Sequence, residues 1–115
     1  MVQLSRIRCI HLFSKMEAAR LRKECLIKDA LIFDDGQISK AGIALPDGTP
    51  YVEISCEGFP NFGIWSAGDA PFVCLEPWMG RCDNTGYDKE LSQKANINML
   101  EPEDVFDKSY VISVR

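Results

Sequence analysis

Residues 51–57, YVEISCE, alternate in character: Val52, Ile54 and Cys56 fall on one side, Glu53, Ser55 and Glu57 on the other. An extended backbone turns successive side chains to opposite faces, so this pattern predicts a strand with one apolar and one wet face. Working outward, short apolar runs alternate with turn signals. On one side lie ALIF at 30–33, DDG, QISKAGIAL at 37–45 and PDGT; on the other lie FPN, FGIWS at 62–66, AGDAP and FVCLEPW at 72–78. Asp-Gly in two of the connections supplies the positive φ that tight turns require, and Pro46 presets the start of one of them. The expectation is an antiparallel sheet or sandwich whose strands follow one another as a four- or five-stranded meander.

Both ends of the chain extend this reading. VFDKSYVISV at 105–114 puts Phe106, Tyr110, Ile112 and Val114 on one side of a final strand. The polar stretch GRCDNTGYDKELSQKANIN at 80–98 predicts a long loop with a turn or two of helix at DKELSQK. Leu12, Phe13, Met16, Ala19, Leu21 and Leu26 recur near helical spacing, uninterrupted by Gly or Pro, and predict one amphipathic N-terminal helix over 12–26. The chain of 115 residues is short enough for a single globular unit.

Charge narrows the partners. With 17 acidic and 13 basic residues the net charge is −4, the wrong sign for a protein that reads the phosphate backbone, so no nucleic-acid partner is expected. The basic residues Arg20, Arg22 and Lys23 are interleaved with Glu17 and Glu24, as on a solvated face. Five cysteines occur with no CxxC pair and no Cys/His spacing, so neither a metal site nor a disulfide framework is expected, and a reducing cytoplasm fits. Charged residues interrupt each apolar run near the N-terminus, which argues against a signal peptide or a membrane partner.

FVCLEPW carries the chemistry. Extended, it sends Phe72, Cys74, Glu76 and Trp78 to one face and Val73, Leu75 and Pro77 to the other. A carboxylate beside an indole suits a sugar, because the ring offers its face to C–H groups while the carboxylate accepts bonds from hydroxyls or takes a proton from one. On residue types alone, the plainer reading is a strand-end carboxylate pointing to water as Pro77 ends the ladder.

A longer pattern shifts that balance. IKDALIF at 27–33, GFPNFGIWSAGDAPFVCLEPWMGRCD at 58–83 and INMLEPEDVFDKSYVISV at 97–114 together resemble the C-terminal third of the aldose 1-epimerase (galactose mutarotase) family, over roughly 90 of the 115 residues. The resemblance implies a mainly β fold, part of a galactose mutarotase-like supersandwich, with residues 26–115 as a partial epimerase-like β domain and residues 1–25 as a helical segment outside the match. It implies an isomerase that interconverts the α and β anomers of a hexose such as galactose or glucose, without a cofactor. Glu76 would be the catalytic base, with Asp29 and Trp78 as substrate contacts; Arg81 is a candidate for a phosphate on the sugar.

The family also protonates the ring oxygen with a histidine carried in segments that have no counterpart here. The chain's one histidine, His11, lies in IRCIHLFS, which does not match those motifs. The expectation is therefore a truncated epimerase, weak or inactive alone, that self-associates through exposed sheet edges. A non-catalytic carbohydrate-binding module and an oligomeric interaction fragment are the alternatives.

Overall fold

The computed structural model describes residues 9–14, 18–22, 26, 29–67 and 70–115, the first two segments as backbone. Eight strands fall among them: β1 (Cys9–Ser14), β2 (Ala18–Arg22), β3 (Leu31–Phe33), β4 (Ile38–Ala44), β5 (Pro50–Ser55), β6 (Asn61–Trp65), β7 (Cys74–Trp78) and β8 (Val111–Val114). They form two antiparallel sheets, a five-stranded one in the order β2-β1-β4-β5-β8 and a three-stranded one in the order β3-β6-β7. The mainly β, antiparallel fold class expected from alternation is the one observed.

Two expectations are corrected. Of the helix expected over 12–26, the described residues 12–14 and 18–22 are strand; Leu12 pairs with Ala41 of β4 on one side and with Ala19 of β2 on the other. The remainder of that span, apart from Leu26, lies outside the described residues. An apolar run this short satisfies either period, and the ladder offered by β4 decides between them. The simple meander is the second correction, because the chain changes sheets between β3 and β4, between β5 and β6, and again before β8.

Turn chemistry explains how it does so. Asp35 and Gly36 have φ of 58° and 62°, and Gln37 N–H closes onto Asp34 O at 3.2 Å, the left-handed pair that an Asp-Gly signal predicts. This turn ends β3, but Gly36 N–H bonds Pro60 O at 2.8 Å instead of leading into a hairpin, so β4 departs into the other sheet. PDGT does make a hairpin, joining β4 to β5. Gly48 (φ 91°) donates to Leu45 O at 2.9 Å, and Asp47 Oδ1 accepts the Thr49 amide at 2.8 Å, which holds the Asp47 carboxyl below its ordinary value.

Between the sheets lies the core. Ile38, Ala41, Ile54, Cys56 and Phe59 come from the larger sheet and its connection, Phe62 and Ile64 from β6, and Leu26 closes one side. Burial and the neighbouring Glu57 charge push the Cys56 thiol up to about 11, leaving it a small apolar core residue. Leu31, Phe33, Val73 and Leu75 pack against this cluster from β3 and the β7 segment, so one face of the three-stranded sheet is inward.

Glu53 lies on the face expected to be wet, yet it is shielded from solvent. It is buried beside Gly42, with Lys40 Nζ at 4.0 Å and Arg115 Nη2 at 3.3 Å. Arg115 N–H also bonds Tyr51 O at 3.0 Å, so this pairing fixes β8 to β5 at the sheet edge.

The final strand is shorter than the alternation of 105–114 suggested, and of its expected apolar face only Tyr110 finds a ring partner, meeting Phe59 edge-on at 6.3 Å. Val105, Phe106, Val111, Ile112 and Val114 are exposed.

Among the described residues, Phe62 is the largest fully buried side chain. Phe62→Ala is expected to lower stability by about 3–5 kcal/mol, read as a reduced urea midpoint at unchanged slope.

Candidate functional site

The outer face of the three-stranded sheet holds the candidate residues. Cross-strand register aligns Ile32, Gly63 and Glu76 in one row, with Trp65–Cys74 on one side and Asn61–Trp78 on the other. Because Phe62, Ile64 and Leu75 face the core, alternation sends Gly63, Trp65, Cys74, Glu76 and Trp78 outward.

Glu76 sits between the two tryptophans. Trp65 Nε1–H donates to Glu76 Oε1 at 2.7 Å, and Trp78 Nε1–H donates to Glu76 Oε2 at 3.1 Å. Each carboxylate oxygen accepts two or more bonds, so this arrangement orients the group while leaving acceptor capacity on both oxygens. An indole offers only a donor, and two of them suit an ionised carboxylate.

Gly63 makes this geometry attainable. A Cβ built on Gly63 would lie 2.4 Å from Cζ2 and 2.7 Å from Cη2 of Trp78, so the indole occupies the space that any other residue would fill. Trp65 is braced from the other side by Phe72, whose ring meets it edge-on at 5.5 Å, and Ser66 Oγ–H donates to Phe72 O at 2.8 Å.

Cys74 stands two residues before Glu76 on the same face. Partial burial, the Glu76 charge and a bond to that carboxylate together push its thiol above the ordinary value. The thiol is therefore protonated at neutral pH.

The other sequence candidates are distributed differently. Trp78 stands with Glu76. Asp29 precedes β3 on the same sheet, three positions along the strand direction from the Ile32–Gly63–Glu76 row and two strands over; its Oδ1 accepts the adjacent Ala30 amide at 2.7 Å. Arg81 is paired with Asp34, whose two carboxylate oxygens lie 2.6 and 2.5 Å from Nη1, so the cation proposed for a phosphate already has a carboxylate. His11 belongs to β1 of the five-stranded sheet, where its backbone pairs with Gly42 and Arg20.

Trp65 and Gly63 are the functional neighbours that residue types did not single out. Their part depends on which residue of β6 lies opposite Glu76, and register is a tertiary fact.

The chain is similar to the LacX proteins of Lactococcus lactis. Over 64 residues it is 31% identical to the chromosomal Protein LacX of Lactococcus lactis subsp. lactis, a stretch covering 55% of this chain and 21% of that protein. The plasmid LacX protein of the same subspecies matches with the same identity and coverage. The matched region thus spans about a fifth of the length of these curated relatives. No family model matches, and no solved structure matches. Among the described residues, no helix is long and apolar enough to cross a membrane.

Two outcomes check the site geometry. Gly63→Ala is expected to displace Trp78 from Glu76 and shift tryptophan emission while the far-ultraviolet spectrum stays β-like. Glu76→Gln removes the negative charge that helps raise the Cys74 thiol, so the pH profile of Cys74 alkylation is expected to move to lower pH, with faster modification at any fixed pH below it.

Proposed function

We propose that this chain carries the base side of an aldose 1-epimerase-like sugar site, with Glu76 as the proton acceptor and Trp78 and Asp29 as sugar contacts. The observation that supports this most is the carboxylate held by two indole N–H bonds on a sheet face turned away from the core. The family resemblance of the CLEPW segment points the same way.

In this reading the free acceptor sites of Glu76 receive the anomeric hydroxyl of a hexose. Glu76 takes the O1 proton, electrons collapse to the C1–O1 carbonyl, and the C1–O5 bond breaks as O5 takes a proton from an acid. Rotation about C1–C2 and the reverse sequence give the other anomer. The chain's one histidine lies in β1 of the other sheet, so this reading assigns the acid to none of the 115 residues. Lacking one of two acid–base partners costs about 100- to 10,000-fold in rate, so the chain alone is expected to bind sugar and epimerise it weakly or not at all.

A second reading is a carbohydrate-binding module without catalysis. It is favoured by the same two indole bonds, which make Glu76 a clamp that sets the tryptophan platform.

Both tryptophans of the chain bond Glu76, so its emission reports on this site alone. Titration with galactose and with glucose is expected to change that emission in the wild type and not in Glu76→Gln. Polarimetry of freshly dissolved α-anomer separates the readings: mutarotation above the spontaneous rate that Glu76→Gln abolishes supports the catalytic one, and binding without acceleration supports the module. Silence up to high millimolar sugar removes both and leaves an interaction fragment, for which the exposed β8 edge is the relevant feature.

A further inference from the structure

The core ends one strand before the larger sheet does. Ladder partners point their side chains to the same face, so the row Ala41–Ile54–Ile112 runs along the inner side of that sheet. Its members are 0%, 7% and 58% exposed, in that order. Val114, beside Val52 in the neighbouring row, is barer still at 73%. Packing thus covers β4 and β5 and leaves the inner side of β8 open, an apolar strip that Tyr110 continues with one edge-on contact to Phe59.

The backbone of this edge is unpaired as well. Arg115 N–H donates to Tyr51 O, one step beyond the Val52–Val114 pair, and alternate residues of an antiparallel strand direct their backbone groups to opposite sides. Val111, Ser113 and Arg115 therefore face β5. Tyr110, Ile112 and Val114 turn their N–H and C=O groups outward, where β8 is the last strand of the sheet. The ladder also explains why the alternation of 105–114 outruns the strand that forms: β5 ends at Ser55, opposite Val111, so residues 107–110 have no β5 residue alongside.

This edge is complementary to itself. A two-fold antiparallel pairing must set outward-turned residues opposite one another, which leaves few registers. One of them places Ile112 opposite Tyr110 of the second copy, Arg115 opposite Asp107 of the second copy, and Val111 opposite itself. Asp107 has no ion-pair partner among the described residues, and the Arg115 guanidinium keeps donors beyond the one on Glu53. Charge therefore selects this register. It also gives residues 107–110 the ladder they lack, joins the two bare inner strips, and lays the Lys108 stem along Val114 of the second copy.

We infer that two copies of this chain join edge to edge through antiparallel β8 strands, with Val111 on the two-fold axis and one continuous sheet running across the pair. The contact lies on the opposite sheet from Glu76 and does not rest on the sugar reading.

Sedimentation equilibrium of the full chain tests this, and a monomer–dimer equilibrium in the micromolar range is expected. Ile112→Pro removes an N–H that β5 does not use, and an edge strand accepts proline where its N–H side faces solvent. This variant is expected to become monomeric while keeping the β-type far-ultraviolet spectrum and the wild-type tryptophan emission. Asp107→Arg, at an exposed position, replaces two attractions across the axis by two repulsions and is expected to weaken dimerisation about tenfold. Val111→Cys reports the register: residues opposed in a non-hydrogen-bonded pair have Cα atoms about 4.5 Å apart, within disulfide range. Mild oxidation of Val111→Cys should give a covalent dimer above the wild-type background, and Ile112→Cys, offset from its own copy, should give little.

A monomer across the whole concentration range would overturn the proposal. So would a dimer that both Ile112→Pro and Asp107→Arg leave intact, since the contact would then lie on another surface. Cross-linking through position 112 in place of 111 would refute the register and the charge pairing that selects it.

Discussion

Strand β6 places opposite demands on adjacent residues. Phe62 and Ile64 are almost fully buried and hold the two sheets together, while Gly63 between them faces outward with no room for a Cβ. A slip of one residue in its pairing would expel both core side chains and bring the glycine inward, so core packing fixes the register. That register sets Gly63 opposite Glu76 and lets the Trp78 indole fold across the gap. The orientation of the carboxylate is thus a consequence of hydrophobic burial on the other side of the same strand.

The larger sheet solves a different problem. Glu53 is buried where its strand neighbour is Gly42, and a lone carboxylate there would be costly. Lys40 of β4 and Arg115 just beyond β8 meet it, and the Arg115 backbone bond to Tyr51 secures the last strand at the same place. Arg115, one of the two cations that compensate this charge, therefore also anchors an edge strand whose own apolar side chains are mostly bare. Sequence alternation identified Glu53 as outward-facing, which is correct for its direction; its burial comes from β8 and from long basic side chains, neither of which is local.

Period-two patterning made the middle of the chain readable. The runs at 30–33, 37–45, 51–57, 62–66 and 72–78 all contain strands, and the facing of Val73 and Leu75 against the core agrees with the alternation of FVCLEPW. The N-terminal stretch was not readable, because Leu12, Phe13, Ala19 and Leu21 fit a helical period about as well as two short strands, and only β4 supplies the ladder that selects strands. DKELSQK contracts to a single 3-10 turn at Leu91–Gln93, with no residue buried to hold a longer helix. At the site, Glu76 and Trp78 were visible because they are two apart on one strand. Trp65 and Gly63 were not, since they reach Glu76 only across the ladder. Arg81 read as an available cation, yet its carboxylate partner Asp34 stands 47 positions earlier in the chain.

The Asp-Gly turn at 34–36 directs the chain from the smaller sheet into the larger, and β6 brings it back. The β4–β5 hairpin is therefore inserted between two strands, β3 and β6, that must find each other across it. Neither layer is a continuous piece of polypeptide that could be excised and remain whole. Such interleaving couples assembly of both layers into one event dominated by distant contacts, which places this small β-protein among slow, all-or-none folders.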